Sequence, residues 1–335
     1  MESRVKNILK YLFWAAVAVV LVYFCFRSID WEQFWQAMQQ CRWEYVILAM
    51  AFGLLVSLLR GLRWQMLLRP IDPATSVITC FNAYNICLAA NLVIPRAGEV
   101  VRLGYVVKNS SKDQNGRRRM TIDKALGTLL MERGWDLLVG ALLAVGLVVF
   151  ARERFSGFFE DILKGLGGAR TLWTASATIL ILAGLFIFLA RKYKDASPFW
   201  GRIWGFLEGI GHGLTSFLHM ERGWLFLLYT LVIWFLYWLT SAAILWALQD
   251  VEAFAGLTFI DAFFIAIIGT LSSVVPVPGG FGAFHSVVAG FLRSIWGIPM
   301  GTGMIYATLN HESQVFIQAL AGIGSYIHES FFRKS

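Results

Sequence analysis

Apolar runs divided by short polar or basic segments set the rhythm of this chain. Tyr11–Phe26, Trp43–Trp64, Ala125–Phe150, Leu172–Ala190, Trp224–Leu248 and Gly301–Ile327 approach or exceed the length that a helix needs to cross a bilayer, about 20 residues. Two further apolar stretches are broken. Thr79–Ile94 runs into Pro95-Arg96-Ala97-Gly98. Phe259–Val274 runs into Val275-Pro276-Val277-Pro278-Gly279-Gly280-Phe281-Gly282, and an apolar segment leaves over Ala283–Trp296. Proline removes a backbone donor and glycine permits the φ values of a sharp reversal, so neither stretch continues as one helix. Irregular backbone at membrane depth survives only where protein buries it or where it lines a watery cavity. Both stretches are therefore expected to form re-entrant helical hairpins, with Gly279, Gly280 and Gly282 serving backbone shape. Ser28–Arg42 and Pro198–Met220 read as amphipathic segments on the membrane surface.

The two breaks share the form Pro-x-x-Gly at an offset of 181 residues, and the same offset lays Trp43–Trp64 over Trp224–Leu245. It also lays Glu132 over Ser313, beside Glu312. The expected organisation is a single membrane domain: 1–42 with the first span and an interfacial helix, repeat one at 43–150, a linking region at 151–223, and repeat two at 224–330. With the N-terminus inside, about three-quarters of the 29 Lys and Arg, counting Arg60, Arg63 and Arg69 at the end of the second span, fall on the cytoplasmic side, as the positive-inside rule requires. The two hairpins then enter from opposite faces. Broken helices in inverted repeats are a transporter architecture, with the site at the repeat interface.

Composition agrees with the pattern. Hydrophobic residues form 58% of the chain and charged residues 15%, which excludes an ordinary soluble domain. The expected fold class is an all-α polytopic membrane protein, with about six full spans and two re-entrant hairpins. Many of the 14 Trp lie near span ends, as in an interfacial aromatic belt. The net charge of +8 belongs to cytoplasmic loops and gives no reason to expect nucleic acid. The four cysteines show neither metal-ligand spacing nor a disulfide framework, and no metal or cofactor is expected.

Charges inside spans carry the candidate chemistry, because they face the bundle interior or water. Glu132 and Asp136 lie one turn apart on a helix face and need a cation, from Arg133, Arg96 or Arg102. They either lock helices together, contact a substrate, or do both. Arg96, Glu99 and Arg102 follow the first break, where a helix N-terminus and guanidinium groups suit an anionic lipid headgroup; a plain interfacial ion pair is the bland alternative. The basic loop Lys108–Lys124 reads as a positive-inside loop. His285 and His311, with Glu312 beside them, are candidates for proton coupling, against an ordinary hydrogen-bonding role. Asn91, Pro95, Gly98, Pro276, Pro278, Gly279, Gly280 and Gly282 are the expected gate and hairpin residues.

Asn91-x-x-x-Pro95-Arg96-Ala97-Gly98-Glu99-x-x-Arg102, then Glu132-Arg133-x-x-Asp136, then Pro276-x-Pro278-Gly279-Gly280-x-Gly282 resemble the membrane domain of the lysylphosphatidylglycerol synthase/flippase family. The resemblance covers nearly the whole chain and implies a bacterial inner-membrane protein of the lipid-flippase type. It departs from the family at His285, where Glu is usual, and at Asn310–His311, where an Arg often stands nearby. The soluble aminoacyl-transferase domain of full synthases is not expected, since only Phe331–Ser335 trail the last span.

The leading expectation is thus a flippase that moves a phospholipid or an isoprenoid-linked amphiphile between leaflets. Membrane lipids are its expected partners, beside a second copy of the chain or an envelope-lipid enzyme. The rival is an intramembrane headgroup or glycosyl transferase, or an accessory subunit of such an enzyme. Neither clustered Asp for Mg²⁺ nor a nucleotide-binding glycine loop is visible, so enzymatic activity is not expected.

Overall fold

A computed structural model of the chain describes residues 23, 31–150, 168–205, 207, 222–272 and 277–331. The expected first span, apart from Tyr23, lies outside the described residues, as do most of the segment after Pro198 and Pro276 itself. The described residues contain helices and no strand. In chain order these are α1 (Trp31–Gln40), α2 (Trp43–Leu68), α3 (Val77–Val93), α4 (Ala97–Lys108), α5 (Ile122–Phe150), α6 (Gly168–Lys192), α7 (Gly223–Ala247), α8 (Phe259–Leu271), α9 (Ala283–Trp296) and α10 (Met300–Phe331).

Among the described residues, α2 and α7 are long and apolar enough to cross a membrane. The arms α3 and α8, with 17 and 13 residues, reach only about 25 and 20 Å at 1.5 Å per residue, short of a hydrocarbon core of about 30 Å. Each arm has a built start. The Ser76 hydroxyl accepts from the Thr79 N–H at 3.1 Å, and Thr258 with Asp261 forms a reciprocal capping box. The arms stop where the sequence breaks them. Arg96, which follows Pro95, adopts a left-handed φ of 59° just before α4. At the second break Pro278–Gly280 makes a 3₁₀ turn, with Gly279, Gly280 and Gly282 all at positive φ.

The chain divides into two compact units, residues 1–125 with 224–335, and residues 126–223. In the first unit α10 packs against α2, α3 and α9, and α3 packs against α2 and α4. Ala49, Ala243, Ile265, Val288 and Tyr306 are buried in its core. Small residues bring the helices close: Gly322 lies against Ala89 and Gly303 against Ala289. Arg42 forks onto Asp250 at 2.7 and 2.9 Å, joining the start of α2 to the residues after α7. Asp72, almost fully buried, ties the α2–α3 link to the basic loop. It accepts from Ser110 Oγ at 2.8 Å and from Ser111 N and Oγ at 2.9 and 2.6 Å. Burial alone would raise the Asp72 carboxyl, but the hydrogen bonds from Ser111, Ser110 and the Ala74 N–H outweigh it and hold the group below the usual carboxylate range.

The second unit contains the length of α5 beyond Ala125, α6, and a short helical stretch over 198–205. Phe186 on α6 meets Trp200 at 5.8 Å between ring centroids. Leu137, Leu142 and Val145 on α5, and Ile181, Leu182 and Leu185 on α6, are exposed apolar side chains suited to lipid contact.

One expectation needs correction. Arg60 and Arg63 do not form the basic cytoplasmic flank expected at the end of the second span. Instead α2 continues to Leu68, and both arginines are buried within it. Their long side chains find hydroxyls and aromatic rings inside the bundle, so they need no aqueous flank.

Candidate functional site

The first break is stapled by one side chain. Asn91, in the last turn of α3, accepts the Gly98 N–H through Oδ1 at 2.8 Å, while its Nδ2 lies 3.5 Å from Glu99 Oε2. Helix α4 therefore begins tight against the end of α3. A Cβ at Gly98 would collide with the Cys87 carbonyl oxygen and lie 2.8 Å from Asn91 Cγ, so only glycine fits. Arg96 is exposed at the tip, Glu99 is half-buried and Arg102 is fully buried.

Arg102 belongs to a cluster. Its guanidinium lies 3.7 Å from the centroid of the Trp64 ring and 5.3 Å from that of Tyr84. Arg60 donates from Nε to the Tyr237 hydroxyl at 3.0 Å and also lies over Tyr84, at 5.7 Å. Arg63 donates from Nη1 to Thr230 Oγ1 at 3.0 Å and lies 5.5 Å from the Phe226 centroid. Guanidinium groups over aromatic faces are held by the ring quadrupole, an attraction that strengthens when water is excluded. Sequence reasoning named Arg102 and missed Arg60 and Arg63. The available signal was their i, i+3 spacing, which puts both on one face of α2.

At the second break Pro278 is buried and Gly279 approaches the first hairpin: an added Cβ there would lie 3.2 Å from Leu92 Cδ2. The two hairpins thus meet at their breaks. The Gly279 carbonyl oxygen accepts from His311 Nε2 at 2.9 Å, which leaves His311 Nδ1 facing Glu312 Oε1 at 3.0 Å. His285, fully buried in the first turn of α9, places Nε2 at 3.4 Å from the same oxygen. Phe281 and Phe284 each pack on the His311 ring at 5.2 Å. The structure therefore brings His285, His311 and Glu312 together.

Between the arginines and this cluster lies a cavity of about 190 Å³. Tyr84 and Tyr237 line it on the arginine side and Phe284 on the histidine side. Besides the two tyrosines, its polar lining is uncharged and comes from Ser57, Thr240, Ser241, Thr270, Asn310, Gln314 and Gln318. Asn310 donates to the Tyr306 hydroxyl at 3.1 Å, which donates to the Ser241 carbonyl at 3.0 Å. None of Arg96, Glu99, Arg102, Glu132, Arg133 or Asp136 lines the cavity. The last three stand on α5 in the other unit, Glu132 fully buried, Asp136 half-buried and Arg133 exposed. Single polar residues in apolar helices give little warning in sequence, and those lining the cavity, apart from Asn310, passed unremarked.

Comparison with known proteins gives one match. The family model for the lysylphosphatidylglycerol synthase TM region aligns with residues 11–322, a stretch that holds both breaks, the arginine cluster and the histidine–glutamate cluster. No curated protein and no solved structure matches the chain. The chain is a membrane protein and belongs to the lysylphosphatidylglycerol synthase TM region family.

Proposed function

We propose that the protein is a lipid flippase of the bacterial inner membrane that moves a phospholipid or isoprenoid-linked amphiphile between leaflets. The observation that carries this reading is the meeting of the two broken hairpins at Leu92 and Gly279, next to a polar cavity. Broken helices that meet beside a polar cavity are how transporters place a site within the bilayer. The reading includes inverted repeats over 43–150 and 224–330, with both termini cytoplasmic.

Arg60 bonds Tyr237 and lies over Tyr84, both in the cavity lining, so it and the neighbouring Arg102 are the guanidinium groups offered to an anionic headgroup, with Arg96 and Glu99 at the first break. On α5, Glu132, Arg133 and Asp136 remain candidates for substrate contact or for holding helices together within the second unit. A cavity of about 190 Å³ is smaller than the 300–1,000 Å³ usual for a drug-sized ligand, so a headgroup passes only in a wider state. The hairpin tips are the parts that separate to widen it.

Purified protein in proteoliposomes with headgroup-labelled anionic phospholipid tests the reading through the fraction of label quenched from outside. Wild-type protein should expose inner-leaflet label faster than empty vesicles, and Gln314→Trp, which fills the cavity, should abolish the difference. Equal rates for vesicles with and without wild-type protein, across anionic, zwitterionic and isoprenoid-phosphate probes, would sink the proposal. Turnover of a labelled activated donor by the pure protein would favour the transferase instead.

A further inference from the structure

With His311 neutral, the histidine–glutamate cluster holds one close contact that its hydrogen bonds do not satisfy. Because His311 Nε2 donates its proton to the Gly279 carbonyl, the neutral ring carries a bare Nδ1. That lone pair faces a carboxylate oxygen of Glu312 at 3.0 Å, and His285 Nε2 converges on the same oxygen at 3.4 Å. Two acceptors so close repel one another unless a cation stands between them. One proton bridges two acceptors; a metal ion takes all three donors at once.

The geometry points to a divalent transition-metal site formed by His285, His311 and Glu312, best suited to Zn²⁺. The three donor atoms lie within 4.8 Å of one another. Zinc bonds of 2.0–2.2 Å imply donor separations of about 3.3–3.6 Å in a tetrahedron, and the His285–Glu312 pair is already at that separation. Two His and one carboxylate, with a fourth position open, are an established zinc donor set. The Gly279 carbonyl fills the outer role that a ligating histidine usually needs, receiving the other ring N–H and fixing tautomer and ring plane. His285 is buried, and His311 packs edgewise on Phe281, so neither ring swings freely.

The site would act as a clamp. Its ligands come from the first turn of α9 and from α10, and His311 also grips the 3₁₀ turn through Gly279. A bound metal thereby fixes the second hairpin tip to α10. Spacing gave no hint of this, since His285 and His311 are 26 residues apart. The clamp stands whether the cargo is a lipid or not.

The test uses untagged full-length protein in mild detergent, stripped with a chelator, reloaded with Zn²⁺ and assayed against a chromophoric competitor. One Zn²⁺ per chain is expected, with a rise in Tm that the chelator reverses. His285→Ala and Glu312→Gln should each weaken binding about 100-fold or more, beyond the 10–100-fold typical of an outer partner. Co²⁺ in place of Zn²⁺ should give the intense visible bands of a tetrahedral ion, lost in both variants. Zn²⁺ held equally by both variants would be adventitious, on His212, His219 or His328, and would overturn the site. So would wild-type protein that binds none. If His285→Ala aggregates, the near-isosteric Glu312→Gln decides.

Discussion

Two glycines of α4 offer a controlled measurement of how tightly the first hairpin closes. Gly98 and Gly104 share one helix, yet a Cβ at Gly98 would meet the Cys87 carbonyl oxygen and the Asn91 side chain, whereas a Cβ at Gly104 meets nothing within 4 Å. Gly98→Ala must push α4 away from α3. Overpacking of this kind costs about 1–3 kcal/mol. Loss of the Gly98 N–H bond to Asn91 adds about 0.5–1.5 kcal/mol. Gly104→Ala should instead gain up to about 1 kcal/mol from helix propensity. The two variants, identical in composition, should then differ by roughly 1.5–5.5 kcal/mol. Equilibrium unfolding in mixed micelles, followed by Trp fluorescence, reads this difference directly. Equal stabilities, or a Gly98→Ala variant as stable as wild type, would refute the close contact between the arms.

Three further outcomes follow from the geometry. Asp72→Ala should destabilise by about 1.5–3 kcal/mol and expose the loop at Arg117–Arg119 to trypsin, because Ser110 and Ser111 lose a charged acceptor. As the Asp72 carboxyl is held below its ordinary range, its contribution is fully present above pH 4 and fades as pH falls through the lower folded value, so wild-type and variant melting curves should converge below pH 4. Arg102→Lys keeps the charge but loses the guanidinium held over Trp64, and should cost about 2 kcal/mol in thermal unfolding; a loss below about 0.5 kcal/mol would refute a stabilising cation–π contact. Gly279→Ala places a Cβ against Phe281 and Leu92 at a φ of 59°, and should slow lipid translocation more than it lowers Tm.

How much of this was readable beforehand depended on the range of the interactions. The hairpin arms were legible because proline and glycine act locally: the expected Phe259–Val274 and Ala283–Trp296 compare with α8 at Phe259–Leu271 and α9 at Ala283–Trp296. The span ends near Trp43 and Trp224 were legible for a similar reason, since apolar runs stop at polar residues. What stayed hidden rests on distant partners. Arg60 and Arg63 look like a flank when read against their neighbours, and show as interior groups once distant partners such as Tyr237 and Thr230 on α7 are in place. The contact between Leu92 and Gly279, and the convergence of His285 on Glu312, likewise depend on packing that no local pattern encodes.

The buried arginines also constrain how the protein is made. Arg60 and Arg63 are synthesised 177 and 167 residues before Tyr237 and Thr230. At about 5–20 residues per second, that interval lasts roughly 8–35 s. Through that time the hydrogen bonds to α7 are unmade, and long guanidinium side chains on a bilayer helix reach toward the interface. Assembly of the first unit is therefore a late event in synthesis, completed only when the C-terminal half closes over charges laid down near the beginning.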